Sequence, residues 1–245
     1  MLTPHIGCSG FYYKHWKETF YPAGLPQKKW FDFYCEHFNT LELNVTFYRF
    51  PKLPFLQNWY AKSPANFRFA VKVPKAITHF KQFNGTVDMI SDFYNTVREG
   101  LQEKLACVLF QLPPRLHYKE ERLEKIINSL DNSFINVLEF RHESWWQKDV
   151  YDELARHNIT FCGMSHPSLP EDVVANTSFL YYRLHGEGQL YASNYEEKRL
   201  EYFVDEIYKN KHVNEAYIFF NNDIHTYAIW NAKYMEQYAG SKKLD

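Results

Sequence analysis

The stretch Ala106-Cys107-Val108-Leu109-Phe110-Gln111, running on into Leu112-Pro113-Pro114, decides the fold. A strand with one wet face alternates apolar and polar side chains. A run that is apolar at successive positions is the mark of a strand covered on both faces, as in a parallel sheet. Seven further short runs have β character: His5–Ser9, Thr40–Asn44, Phe67–Val73, Asn136–Arg141, Thr160–Ser165, Phe179–His185 and Ala216–Asn221.

Amphipathic segments lie between these runs. Lys28–Phe38 carries Trp30, Phe31, Tyr34 and Phe38 at helical spacing, and Glu120–Leu130 puts Leu123, Ile126, Ile127 and Leu130 on one stripe. Val87–Leu101, Val150–His157, Tyr195–Tyr208 and Tyr227–Tyr238 complete the predicted helices, with Asp149 and Asn194 as expected N-caps. Strand-then-helix alternation implies a parallel sheet, and eight units in a chain of this length fit a closed (β/α)₈ TIM-type barrel. No G-x-G-x-x-G or P-loop follows any strand, which disfavours an open nucleotide-binding sheet. No linker or repeat interrupts the pattern, so residues 1–245 are expected to form a single domain. The segments after strands one, three and six are long (Gly10–Gln27, Pro74–Thr86, His166–Ser178), and long βα loops build barrel sites.

Composition narrows the function classes. A formal net charge of −1 provides no global field for nucleic acid or acidic membranes. The aromatic share of 19% is read chiefly as core filling, because most rings fall in apolar periodic segments. Cys8, Cys35, Cys107 and Cys162 form no C-x-x-C pair, which suits reduced thiols. No basic–apolar leader precedes the first strand and no apolar run spans a membrane, so the expectation is a cytoplasmic protein without membrane partners.

The predicted strands exit into polar residues. Strand two ends Glu42-Leu43-Asn44, strand three at Lys72, strand four at Gln111, strand five Glu139-Phe140-Arg141, strand seven Arg183-Leu184-His185 and strand eight at Asn221. Period-two alternation pairs Glu42 with Asn44, Glu139 with Arg141, and Arg183 with His185. Buried charge must be paired or functional, so these ends form either a salt-bridge network or a site.

The same segments resemble the YecE-like family, domain of unknown function 72. The likeness is carried by Ile6-Gly7-Cys8-Ser9-Gly10, Leu41-Glu42-Leu43-Asn44-Val45-Thr46-Phe47-Tyr48-Arg49, Phe69-Ala70-Val71-Lys72, Ile77-Thr78-His79, Phe110-Gln111-Leu112-Pro113-Pro114, Glu139-Phe140-Arg141-His142 with Trp145, Tyr182-Arg183-Leu184-His185-Gly186 and Phe220-Asn221-Asn222. The resemblance implies a (β/α)₈ barrel and brings no established activity. Two positions depart from it. Phe11 stands where the family usually has Trp, and Ser165-His166-Pro167 where it tends to have Asp.

The leading expectation is acid–base chemistry on a small anionic substrate. Glu42, Glu139, His185 and Lys72 are the candidate catalytic residues, and Asn44, Gln111, Arg141, Arg183 and Asn221 the candidate binding residues. No residue is assigned to a metal and no motif names a cofactor. The alternatives are a Lys72 Schiff base, a metal-dependent phosphodiesterase on nucleic acid, and an anion-binding protein without turnover. Nucleic acid is the less favoured partner. Glycoside hydrolysis is weaker still, since Glu42 and Glu139 lie on strands far apart in barrel order. For His79 a lid role competes with a loop hydrogen bond. His142 is read as a cap or packing residue.

Overall fold

In the computed structural model the structure describes residues 2–242. Eight strands pair in chain order as a closed parallel barrel: β1 (Thr3–Ser9), β2 (Thr40–Leu43), β3 (Arg68–Lys72), β4 (Leu105–Gln111), β5 (Asn136–Glu139), β6 (Ile159–Ser165), β7 (Phe179–Leu184) and β8 (Glu215–Phe220). Each coincides with a run expected from the sequence. Burial explains the apolar composition: every residue of β2, β5, β6 and β7 is buried.

The helices are α1 (Trp30–Cys35), α2 (Val45–Tyr48), α3 (Leu53–Lys62), α4 (Val87–Leu101), α5 (Glu120–Asn128), α6 (Lys148–Arg156), α7 (Glu197–Lys209) and α8 (Tyr227–Ser241). Two of them, α2 and α3, were not expected. Pro51 and Pro54 obscured α3, yet a proline in the first turn costs a helix nothing, because that N–H has no partner inside the helix. The two expected N-caps are corrected. Asp149 lies within the first turn of α6, whose cap is Gln147, and Glu196 rather than Asn194 caps α7. Asn194 instead accepts from Asn231, 3.0 Å away.

The chain divides into two compact units, one of residues 42–162 and one of the residues before and after that segment. In the first, β3, β4 and β5 pair in parallel register, with Lys72 opposite Leu109 and Gln111 opposite Glu139. Its core includes Val71, Val108, Leu109, Phe110 and Leu138, all fully buried. In the second, β8 lies between β1 and β7. Trp16, Tyr21, Trp30 and Tyr34 are buried there, and Tyr21 stacks on Trp30 at 4.5 Å. Much of the aromatic first loop is therefore packing, although Tyr12 remains exposed.

Candidate functional site

The polar strand ends form one cluster within each unit. In the central unit, β3 delivers Lys72, buried to 7% exposure. Its ammonium lies 4.4 Å from the centroid of Phe47, a ring supplied by α2. The Thr46 hydroxyl reaches the carbonyls of Leu43, at 2.8 Å, and Lys72, at 2.5 Å, and so ties α2 to β3. A cation over a ring face is attracted by the ring's quadrupole.

The parity expected for Glu139 and Arg141 is present. The Arg141 Nε donates to Glu139 Oε1, and the carboxylate is fully buried. Arg141 itself lies just beyond β5. Gln111 is the register partner of Glu139 on the neighbouring strand. Glu42 is also fully buried. Strand β2 ends at Leu43, and Asn44, with helical φ and ψ, is the N-cap of α2. Among the described residues, the Asn44 amide oxygen is buried without a hydrogen-bond partner.

His79 lies near this cluster, and of its two expected roles the loop hydrogen bond is present. It sits in a π-helical turn, Ala76–Phe80, closed by Lys81 N–H donating to the Ala76 carbonyl at 3.0 Å. Gln82 and Phe83 follow with φ of 46° and 64°, an uncommon conformation for residues with a Cβ. The buried Phe83 ring stacks on Phe110 and holds this turn down. The His79 Nδ1 is 2.9 Å from the Thr78 hydroxyl, its ring meets Phe47 edge-on at 5.0 Å, and Arg115 donates to its carbonyl at 3.3 Å. Burial and the charge of Lys72 push the His79 imidazole down to about 4. Arg115 and Lys75 add to the effect, and Glu139 opposes it. Near neutral pH this imidazole is uncharged, in a predominantly positive field.

In the other unit, Arg183 and His185 are fully buried. Arg183 Nη2 donates to Ser9 Oγ at 3.3 Å, and Nη1 lies 3.3 Å from His185 Nε2. The Asn221 amide nitrogen, Nδ2, lies 3.2 Å from His185 Nδ1. Arginine can only donate, so His185 Nε2 is the acceptor of the Arg183 contact. The expected Arg183–His185 pairing is thus present, with Asn221 next to the other ring nitrogen.

The same unit holds a network that sequence spacing could not reveal. The Gly186 N–H donates to Tyr195 Oη at 2.7 Å. Tyr195 donates to Ser165 Oγ at 2.9 Å, and Ser165 to Glu171 at 2.7 Å. Arg199 then bridges Glu171 and Glu187. Ser165, where the resemblance suggested an acid, is therefore joined to a carboxylate from the loop beyond β6. The other singled-out residues pack. The His142 Nδ1 accepts from the Ser144 N–H at 3.2 Å, and Trp145 stacks on Phe140 at 4.2 Å. Among the described residues, no three His, Cys, Asp or Glu side chains gather as a metal would require. No helix among them is long and apolar enough to cross a membrane.

A closed parallel barrel whose strands end in buried charge is a TIM-type (β/α)₈ barrel. Residues 5–245 match the family described as Protein of unknown function DUF72, and the chain belongs to that family. It is 29% identical over 147 residues to UPF0759 protein YecE of Escherichia coli K12. It is 26% identical over 143 residues to UPF0759 protein YunF of Bacillus subtilis 168. These alignments cover 56% of the chain and 54% and 51% of the relatives, so the chain spans about half the length of the curated relatives it matches. Among solved structures, a DUF72 family protein from Thermotoga maritima superposes with a TM-score of 0.87 at 26% identity, covering 96% of this chain and 98% of that one. A second, from Enterococcus faecalis, superposes with a TM-score of 0.84 at 19% identity, covering 97% and 96%, and speaks to the fold alone.

Proposed function

We propose that the cluster of Lys72, His79, Arg115 and Glu139 binds a small phosphate- or carboxylate-bearing ligand and carries out acid–base chemistry on it. The observation that carries this reading is geometric: the Lys72 ammonium lies 4.4 Å from the Phe47 ring, and the His79 ring meets that same ring edge-on at 5.0 Å. Burial first, and then the charges of Lys72, Arg115 and Lys75, push the His79 imidazole down, and the fully buried Glu139 carboxylate accepts from Arg141. An anion fits a site whose field is net positive, through charge-assisted hydrogen bonds to Lys72 and Arg115. Its arrival would offset the cations that depress His79 and raise the proton affinity of the imidazole. The ligand would thereby turn a weak base into a useful one. Glu139 would orient or exchange the proton, with Arg141 and Gln111 fixing its position. Asn44 offers a buried acceptor to a ligand hydroxyl.

In this reading Arg183, His185, Asn221 and Ser9 form an orienting network. His185 could carry a proton only if Arg183 released its Nε2. The four cysteines are free thiols, and burial pushes Cys8 upward, which supports a reducing, cytoplasmic setting. The full engagement of Glu139 and His185 favours a second reading, anion binding without turnover. Among the described residues, no three-ligand cluster supports the metal-dependent phosphodiesterase.

The test is calorimetry and product analysis with a panel of sugar phosphates and carboxylates. Binding should weaken about tenfold or more in Lys72→Met or Arg115→Ala, the scale of a lost charged hydrogen bond. Glu139→Gln should keep binding and lose conversion. Binding without conversion in the wild type would establish the second reading. A panel in which nothing binds at low salt would overturn both.

A further inference from the structure

Between Leu43 and Val87 the chain contains no aspartate or glutamate, yet it carries seven basic residues: Arg49, Lys52, Lys62, Arg68, Lys72, Lys75 and Lys81. The whole chain is at −1, so this charge is concentrated. Lys62 and Arg68 belong to the end of α3 and the start of β3. The other five follow β2 or lie at the end of β3 and beyond it, where the chain runs through α2 and the π-helical turn.

These loops also expose aromatic surface. Tyr48 is 68% exposed and Phe80 70% exposed, although large apolar side chains are usually covered. The Lys75 ammonium lies over both rings, 5.2 Å from the Tyr48 centroid and 5.5 Å from that of Phe80. Phe47 meets Tyr48 edge-on at 5.2 Å and lies under Lys72. Cation and ring thus alternate outward from Lys72 through Phe47 and Tyr48 to Lys75 and Phe80. Val45 and Phe55, also exposed, flank this ladder in sequence.

We propose that this surface binds single-stranded nucleic acid, with bases stacking on Tyr48 and Phe80 and phosphates on Lys75, Lys81 and Arg49. An acid-free basic segment complements a polyanion, and open ring faces complement unstacked bases. A duplex hides those base faces. A bilayer suits the geometry less well, because Lys75 sits among the rings rather than at their edge and would carry its charge toward the acyl chains. An acidic peptide would use the cations and leave the rings idle. The proposal concerns binding, needs no metal, and does not rest on the acid–base reading of the neighbouring cluster.

The test is fluorescence anisotropy of labelled oligothymidylate and oligouridylate with the whole protein at low salt. Binding is expected, weakening steeply with salt and stronger for single strands than for the matching duplex. The Tyr48→Ala, Phe80→Ala double variant should lose about tenfold or more in affinity, the scale of stacked bases, while retaining the wild-type melting temperature and small-anion binding. Lys75→Gln with Lys81→Gln should flatten the salt dependence by roughly two phosphate contacts. The proposal is overturned by absence of oligonucleotide binding, by equal affinity for duplex, or by binding that ignores both sets of variants. Protein that partitions onto phosphatidylserine vesicles but not onto oligonucleotide also overturns it. Intact small-anion binding in any of these cases shows that the Lys72 site stands independently.

Discussion

His79 shows how much of this site depends on burial and neighbouring charge rather than on residue identity. In the folded state burial and Lys72 hold it at about 4, below the ordinary histidine value of about 6.5. The unfolded chain therefore binds the proton first as pH falls. Its contribution to stability is fully present above about 6.5 and is lost as pH falls through about 4. Lys72→Met should move the His79 titration upward, as followed by NMR of the imidazole, and saturating phosphate should shift the wild type the same way. A His79 that ignores both changes would mean that burial alone sets its titration. Glu139 gives a second prediction. Arg141→Ala strips an ionic partner from a fully buried carboxylate and should cost about 3–5 kcal/mol in urea denaturation. Glu139→Gln with Arg141→Met should recover much of that loss, because the uncompensated charge disappears with its partner.

At the scale of elements, local propensity and tertiary packing give opposite answers at Gly100. The residue lies within α4, where alanine would normally gain about 1 kcal/mol. An added Cβ, however, would stand 2.4 Å from the Leu56 Cβ of α3. That neighbour is anchored to backbone and cannot swing away, so Gly100→Ala should destabilise by roughly 1–3 kcal/mol in thermal melts. A higher melting temperature would show that α3 moves freely against α4. The end of α3 is held from outside as well. The Lys104 ammonium donates to the carbonyls of Tyr60 and Ser63, each at 2.7 Å, satisfying acceptors the helix leaves open. Lys104→Met should cost about 1–3 kcal/mol, measured in the same melts. Neither contact was visible in the sequence, because each joins residues about forty positions apart.

At the scale of the whole molecule, the barrel was legible because burial on both strand faces leaves several near-continuous apolar runs such as Val108-Leu109-Phe110, and because, among the described residues, a helix follows every strand but β6. Local pairings at strand ends were legible too where strand alternation reaches far enough, as in Glu139 with Arg141 and Arg183 with His185. The strand itself stops short of Asn44, which is already the N-cap of α2. Alternation had nothing to say of His79, placed by a π-helical turn, or of Ser165, whose partners Glu171 and Tyr195 come from separate loops. What the sequence hides is therefore loop geometry, set by long-range hydrogen bonds rather than by periodic burial. The most direct test of the central reading is a crystal of the protein soaked in phosphate. The expected result is an anion bonded to Lys72 and Arg115 within reach of His79. Only water on those side chains at saturating phosphate would contradict it.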